Sequence, residues 1–175
     1  MGFTDRRRNS GLEVAALLLR GVVGGTMVAH GAKHARSLDG TAGWFRSLGF
    51  ERPKLQAQAS AAVEVGAGAL LIAGAATPVA AAAVVGTMAV AARSVHVPNG
   101  FFITDEGWEY VASVAAAAVA VAGMGPGRVS VDHALGIDRT LSGARALVIT
   151  AAVGLIFAES HLAAFWRPPR SAPSA

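Results

Sequence analysis

Between Glu64 and Arg93 the chain runs for 28 residues, 65–92, without a formal charge. A helix crosses a bilayer core of about 30 Å with about 20 apolar residues, so the run is too long for one crossing. Its middle carries the turn sequence GAATP, from Gly74 to Pro78. Thr77 is suited to cap a helix and Pro78 to occupy its first position, which divides the run between two spans. The same reading along the chain predicts helices over residues 12–32, 55–76, 78–97 and 108–124, the last stopped by Gly125, Pro126 and Gly127. A fifth apolar stretch, 147–165, is long enough to span, with Glu159 and His161 as its polar interruptions. The expected fold is an all-α membrane protein: a four-helix transmembrane bundle with a fifth C-terminal transmembrane helix.

The charge content agrees with a lipid environment. Only 15% of residues are charged and the mean hydropathy is +0.48, against about 25% charged in a soluble domain. Fifteen basic residues against eleven acidic ones give a high isoelectric point, but they lie mostly between apolar blocks and form no basic face, which argues against nucleic acid as a partner. There is no cysteine, which excludes disulfides, thiolate nucleophiles and cysteine-ligated clusters. Arg6, Arg7 and Arg8 precede the first apolar run as in a signal peptide, yet Arg20 interrupts that run, and a retained span is expected. The segments are a basic N-terminal stretch (1–11), a four-helix membrane domain (12–132), a linker with the fifth helix (133–166) and a disordered tail (167–175).

Loop charge leaves orientation nearly balanced. With five spans, Arg6, Arg7, Arg8, Arg128, Arg139 and Arg145 share one side, against Lys33, Arg36, Arg46, Arg52, Lys54, Arg167 and Arg170 on the other. Without the fifth span, Arg167 and Arg170 change sides and the count favours a cytoplasmic N-terminus, as does the compact Arg6–Arg8 cluster.

Ionisable residues at membrane depth are costly and turn toward the bundle interior. At about 1.5 Å rise per residue, Arg20 and Glu64 fall within about 5 Å of the same height, so an intramembrane ion pair is expected, either fixing helix register or leaving Glu64 to exchange a proton with a partner. The same arithmetic brings His30, Arg93 and His96 to one level near the far face, where Asn99, Glu109 and Tyr110 also lie. These residues form either a polar pocket or an interfacial anchoring belt. His30 and His34 have i, i+4 spacing without a further metal-ligand motif, so no metal is assigned. His30 and His96 would also suit axial haem ligation, but no haem is assigned either.

Between the first two spans, GTAGWFRSLGF (Gly40 to Phe50) interleaves aromatic and polar residues. In a short helix Trp44 and Phe45 both neighbour Leu48, giving an interfacial helix that anchors the bundle or covers a lateral entrance. Gly21 and Gly25 have GxxxG spacing, and Gly66, Gly68 and Gly86 add small surfaces suited to close helix packing.

Taken in order, HG at His30 and Gly31, TAGWFRSLG from Thr41, Glu64 with Gly66 and Gly68, VHVPNGFF from Val95, GWEY from Gly107 and GPGRVSVD from Gly125 resemble the DoxX family of small bacterial membrane proteins. One departure is that a lysine often follows the family's HG histidine by four residues, where this chain has His34, with Lys33 just before it. The resemblance implies a four-helix core in a bacterial cell membrane and a link to quinone redox chemistry, with quinone as the cofactor. The resulting expectation is an accessory or quinone-linked subunit of a membrane redox or oxidative-stress system, with a membrane or peripheral redox enzyme as partner and scope for homo-oligomers. In that reading His30, Arg93, His96, Asn99 and Glu109 line the site, with Trp44 and Tyr110 at its mouth and Glu64 deeper. The rival expectations are a non-enzymatic scaffold and a small transporter.

Overall fold

The computed structural model describes residues 3–138 and 140–169, with side chains from Ser10 onward. Seven α-helices are present among them: α1 (Phe3–Arg36), α2 (Leu38–Ser47), α3 (Pro53–Ala73), α4 (Thr77–Ala91), α5 (Glu109–Met124), α6 (Val131–Ala134) and α7 (Gly143–Phe165). No strand occurs among the described residues, only an isolated bridge between Phe50 and Trp166. Four helical stretches are long and apolar enough to cross a membrane: Ser10–Arg36, Pro53–Ala73, Thr77–Asn99 and Gly143–Phe165. The C-terminal helix thus meets the criterion despite its two polar residues. The expected fourth span is instead the short one, since α5 has 16 residues, a rise of about 24 Å.

One apolar core joins five helices. It contains Val23 and Met27 of α1, Ala67 and Leu71 of α3, Ala80, Ala81, Val84 and Val85 of α4, Ala118, Val121 and Ala122 of α5, and Ala146 of α7. Outward, the same helices expose Leu18, Val22, Val79, Val148 and Ile156, each more than 60% accessible. An apolar exterior on this scale is the surface a bilayer solvates.

α1 and α3 run antiparallel at close range. A Cβ built on Gly24 would lie 2.6 Å from the Gly68 carbonyl oxygen, and one on Gly31 would lie 2.8 Å from Glu64 Cβ. Gly154 of α7 likewise faces Val85 and the Ala82 carbonyl of α4. The expected GxxxG pair is not the packing seam, because nothing lies within 4 Å of a Cβ at Gly21 or Gly25. The seam uses Gly24 and Gly31, two helical turns apart on the face that meets α3.

This register separates Arg20 from Glu64. Glu64 is level with Gly31, so Arg20 lies eleven residues, about 16 Å, farther along α1. The height arithmetic placed both helix ends flush with the membrane. In fact α1 continues to Arg36, and α2 carries the chain across before α3 begins at Pro53. No Arg20–Glu64 ion pair forms. Arg20, 2% exposed, donates to the carbonyls of Leu71 (2.8 Å) and Ile72 (2.7 Å) at the end of α3, and to those of Pro126 and Val129 (2.9 Å) beyond α5.

Asp132 completes this junction. Its carboxylate accepts from the backbone N–H groups of Ala76 (2.7 Å) and Thr77 (2.9 Å) and from the Thr77 hydroxyl (2.8 Å). The start of α4 is therefore capped from another part of the chain rather than by Thr77, whose hydroxyl donates. Pro78 follows within the first turn. The Asp132 N–H in turn donates to the Gly74 carbonyl, and Gly74 itself adopts φ 64° with Arg20 packed against it. A side chain at Gly74 would meet both a left-handed backbone conformation and the guanidinium.

At the other end, α7 is tied to the α2–α3 connection. Trp166 Nε1 donates to the Leu48 carbonyl (2.8 Å), Arg167 N to the Gly49 carbonyl (2.9 Å), and Glu51 N to the Phe165 carbonyl (2.8 Å). The expected disordered tail therefore begins with a fixed residue, Arg167, while 170–175 lie outside the described residues. Arg167 sits beside Glu51 at 3.5 Å, on the end away from the start of α1, so the charge count that placed it with the N-terminus does not apply. The basic stretch 3–11 is also part of α1 rather than a separate segment.

Two stability outcomes follow. Gly68→Leu should lower the thermal midpoint in detergent, corresponding to a loss of about 1–3 kcal/mol or more, whereas Gly21→Leu should leave it nearly unchanged. Asp132→Ala, which removes three hydrogen bonds and the acid near Arg20, should destabilise the fold by about 3–5 kcal/mol, measured by the same melting experiment.

Candidate functional site

The end of the bundle opposite Arg20 encloses a cavity of about 480 Å³. Its walls come from α1 (Met27, His30, His34), α3 (Ser60, Val63, Glu64), α4 and its extension (Thr87, Met88, Ser94, His96) and α7 (Phe157, His161). Helix α2 contributes Trp44 and Phe45, and Leu48 follows just past its end, while Ile103, Glu106 and Tyr110 close the adjoining side. The lining is mainly apolar, with polar groups concentrated on one wall.

That wall is built by the α1–α3 seam. Because Gly31 admits α3 closely, His34 one turn later faces the residues one turn before Glu64. His34 Nδ1 lies 3.2 Å from Glu64 Oε1 and 3.4 Å from the Ser60 hydroxyl, and Ser60 donates to the same carboxylate oxygen. The Glu64 side chain is 5% exposed, and its second oxygen, Oε2, is buried with no hydrogen-bond partner in the structure. Lys33 points to the exposed surface. His34, at the position where the lysine was expected, is thus the basic residue that meets the buried acid.

The expected polar cluster divides in two. His30, His96, Tyr110 and Trp44 line the cavity, with His30 stacked on Tyr110 at 6.2 Å between ring centroids and Trp44 near His34 at 6.3 Å. Arg93, Asn99 and Glu109 do not line it. Arg93 reaches Glu159 of α7 at 4.0 Å on an exposed face, Asn99 Nδ2 donates to the Val95 carbonyl, and Glu109 accepts from Ile103 N at 2.9 Å.

The cause of this division is a local change of helix type. After Ala91 the chain forms a π-helical turn over Ala92–His96, then a short 3₁₀ turn over Val97–Asn99. Val97 N bonds to the Ala92 carbonyl, five residues back. Pro98 can supply no backbone N–H, and its ring is hard to accommodate inside a regular helix, so the geometry relaxes just before it. The added residue turns His96 inward, where its Nδ1 lies 2.6 Å from the Glu106 carbonyl oxygen, while Arg93 faces α7.

Ser60, Thr87, Ser94 and His161 are cavity residues that the sequence pattern did not single out as a site. Thr87 and Ser94 bond the carbonyls four residues back on their own helix, a conformation that conceals hydroxyls within an apolar run. His161 follows Phe157 by one turn and precedes Phe165 by one turn, with centroid distances of 6.0 and 5.3 Å. The one-turn aromatic spacing along α7, beside its buried face, was the available signal. Among the described residues no group of three metal-ligating side chains is brought together.

The DoxX family model matches residues 15–97. Residues 15–97 form a DoxX family domain. Comparison with the curated proteins finds no significant match, and comparison with the solved structures finds none either. The DoxX domain supplies α1, α2, α3 and α4, and with them Arg20, the His34–Ser60–Glu64 wall and Trp44. Asp132, Tyr110 and the cavity residues of α7 lie beyond the matched segment. The protein therefore carries a DoxX family domain, and among its described residues four helical stretches are long and apolar enough to cross a membrane.

The absence of native cysteine gives a direct test of the cavity. A cysteine at Ser60, part-buried on the cavity wall, should react with a small membrane-permeant thiol reagent, while one at Ala57, 0% exposed, should react at least about tenfold more slowly. Equal rates would contradict the assigned walls.

Proposed function

We propose that this chain binds a lipid-soluble, quinone-like ligand in the cavity beneath α2 and serves as a non-catalytic subunit of a membrane redox or oxidative-stress system. The observation that carries this reading is the combination of an apolar, aromatic-lined cavity with a polar wall inside a bundle of candidate spans. Its volume of about 480 Å³ lies within the range of about 300–1,000 Å³ usual for small-molecule sites. A ring with an apolar tail matches that distribution: the ring takes the polar wall and aromatic rim, and the tail follows the apolar surface toward lipid.

His30, His96 and Tyr110 form the rim in this reading, Trp44 and Phe45 the cover, and Glu64 the polar end. Arg93, Asn99 and Glu109 support the loops around the site rather than contact the ligand. The chain would reside in the bacterial cell membrane with Arg6–Arg8 on the cytoplasmic side, which turns the cavity toward the opposite face, and its redox partner would approach there or from within the bilayer.

Purification in mild detergent from the native membrane, followed by mass spectrometry of the extracted lipids and co-purified proteins, should find quinone retained together with an oxidoreductase. His30→Ala combined with Tyr110→Ala should reduce the retained quinone severalfold at unchanged protein yield. Protein that neither retains nor binds quinone, even with its natural partners present, contradicts the proposal; a protein partner without quinone supports the scaffold alternative.

A further inference from the structure

The polar wall contains one atom with an unmet requirement. Glu64 is 4% exposed overall and lines the cavity. Its Oε1 accepts the Ser60 hydroxyl hydrogen and faces His34 Nδ1 at 3.2 Å, while Oε2 is buried and has no partner. Buried polar atoms are nearly always hydrogen-bonded, and the desolvation of an unpaired one opposes folding. The arrangement is asymmetric: both neighbouring polar groups are directed to the same oxygen, and the other lies unpartnered in the cavity wall, where a turn about the soft terminal torsion of the side chain brings it to a ligand.

A carboxylate can only accept hydrogen bonds. For the ionised form of Glu64 the complementary group is a donor. The oxygens of a quinone are carbonyl acceptors, and bringing one against Oε2 would place acceptor against acceptor in a poorly solvated site. The corresponding hydroquinone has the same ring, substituents and tail but presents O–H groups.

We propose that Glu64 Oε2 accepts a hydrogen bond from a hydroxyl of the cavity's ligand, so that within the quinone class the site takes the reduced, dihydroxy form in preference to the oxidised form. This rests on the reading of the cavity as a quinone-class site. Ser60 and His34 act as positioning residues, because their contacts with Oε1 fix which oxygen is presented. The discrimination is one of binding; no electron transfer within this chain is required.

The test is calorimetric titration of the full chain in detergent, under anaerobic conditions, with decylubiquinone and with its chemically reduced hydroquinone. The hydroquinone should bind about tenfold more tightly to the wild type, the effect of one well-made hydrogen bond to a charged group. In Glu64→Gln the side chain presents an amide that can donate as well as accept, and the preference should fall to within about twofold. Equal wild-type affinities for the two forms, or a preference for the quinone, would overturn the inference and leave the quinone reading standing. Glu64→Gln protein that folds and keeps the full tenfold preference would also overturn it. Failure of the wild type to bind either form would overturn both, and the wild-type comparison decides the matter without any variant.

Discussion

A guanidinium that is 2% exposed and bonded to four backbone carbonyls sets the geometry of one end of this bundle. The carbonyls at Leu71 and Ile72 belong to the end of α3, where the last turn of a helix leaves acceptors unsatisfied. Those at Pro126 and Val129 belong to the segment that follows α5. Arg20 joins three parts of the chain by occupying acceptors that would otherwise be unpaired in an apolar medium, where each would carry a large desolvation penalty. Asp132 performs the reciprocal task with donors, taking the first N–H groups of α4. Opposite charges thus sit at one junction while most of their bonding is to backbone, which makes this a structural clamp.

The clamp explains why the cavity lies where it does. Gly24, Gly31 and Gly68 hold α1 and α3 together along the bundle, and the helices are fixed at the Arg20 end. At the opposite end α1 and α3 are joined through an amphipathic helix, and α4 and α5 through the irregular segment that contains Pro98. Neither connection fills the space between the helices. The cavity is bounded there by α2, by the π-helical turn and by the inner face of α7, and the polar side chains inside it are those the closed end does not use.

The apolar helices, the turn at GAATP and the short α2 were legible from apolar run length and turn residues, because those are local properties of the chain, whereas the four-residue α6 has no such signal. The register between helices was not, because it depends on how far each helix extends past the bilayer core and on which glycines face a neighbour. That is why Arg20 and Glu64, similar in calculated height, sit at different levels with different partners. Arg93 and His96 share a segment, but a π turn before Pro98 sends them in different directions, which a uniform 3.6-residue repeat cannot anticipate. The His34–Glu64 contact was hidden for a related reason: it requires the Gly31 crossing, which brings two distant stretches within reach.

One end of the bundle is clamped by Arg20 and Asp132, and the other holds the cavity beneath α2. Hydrogen exchange of the full chain in lipid nanodiscs, resolved by peptide mass spectrometry, tests this most directly. The amides of 72–80 and 126–134, held through Arg20 and Asp132, should exchange at least about a hundredfold more slowly than those of 97–108. Comparable exchange in the two regions, or faster exchange across 126–134, would contradict the clamp and with it the division of the bundle into a fixed end and a receptive one.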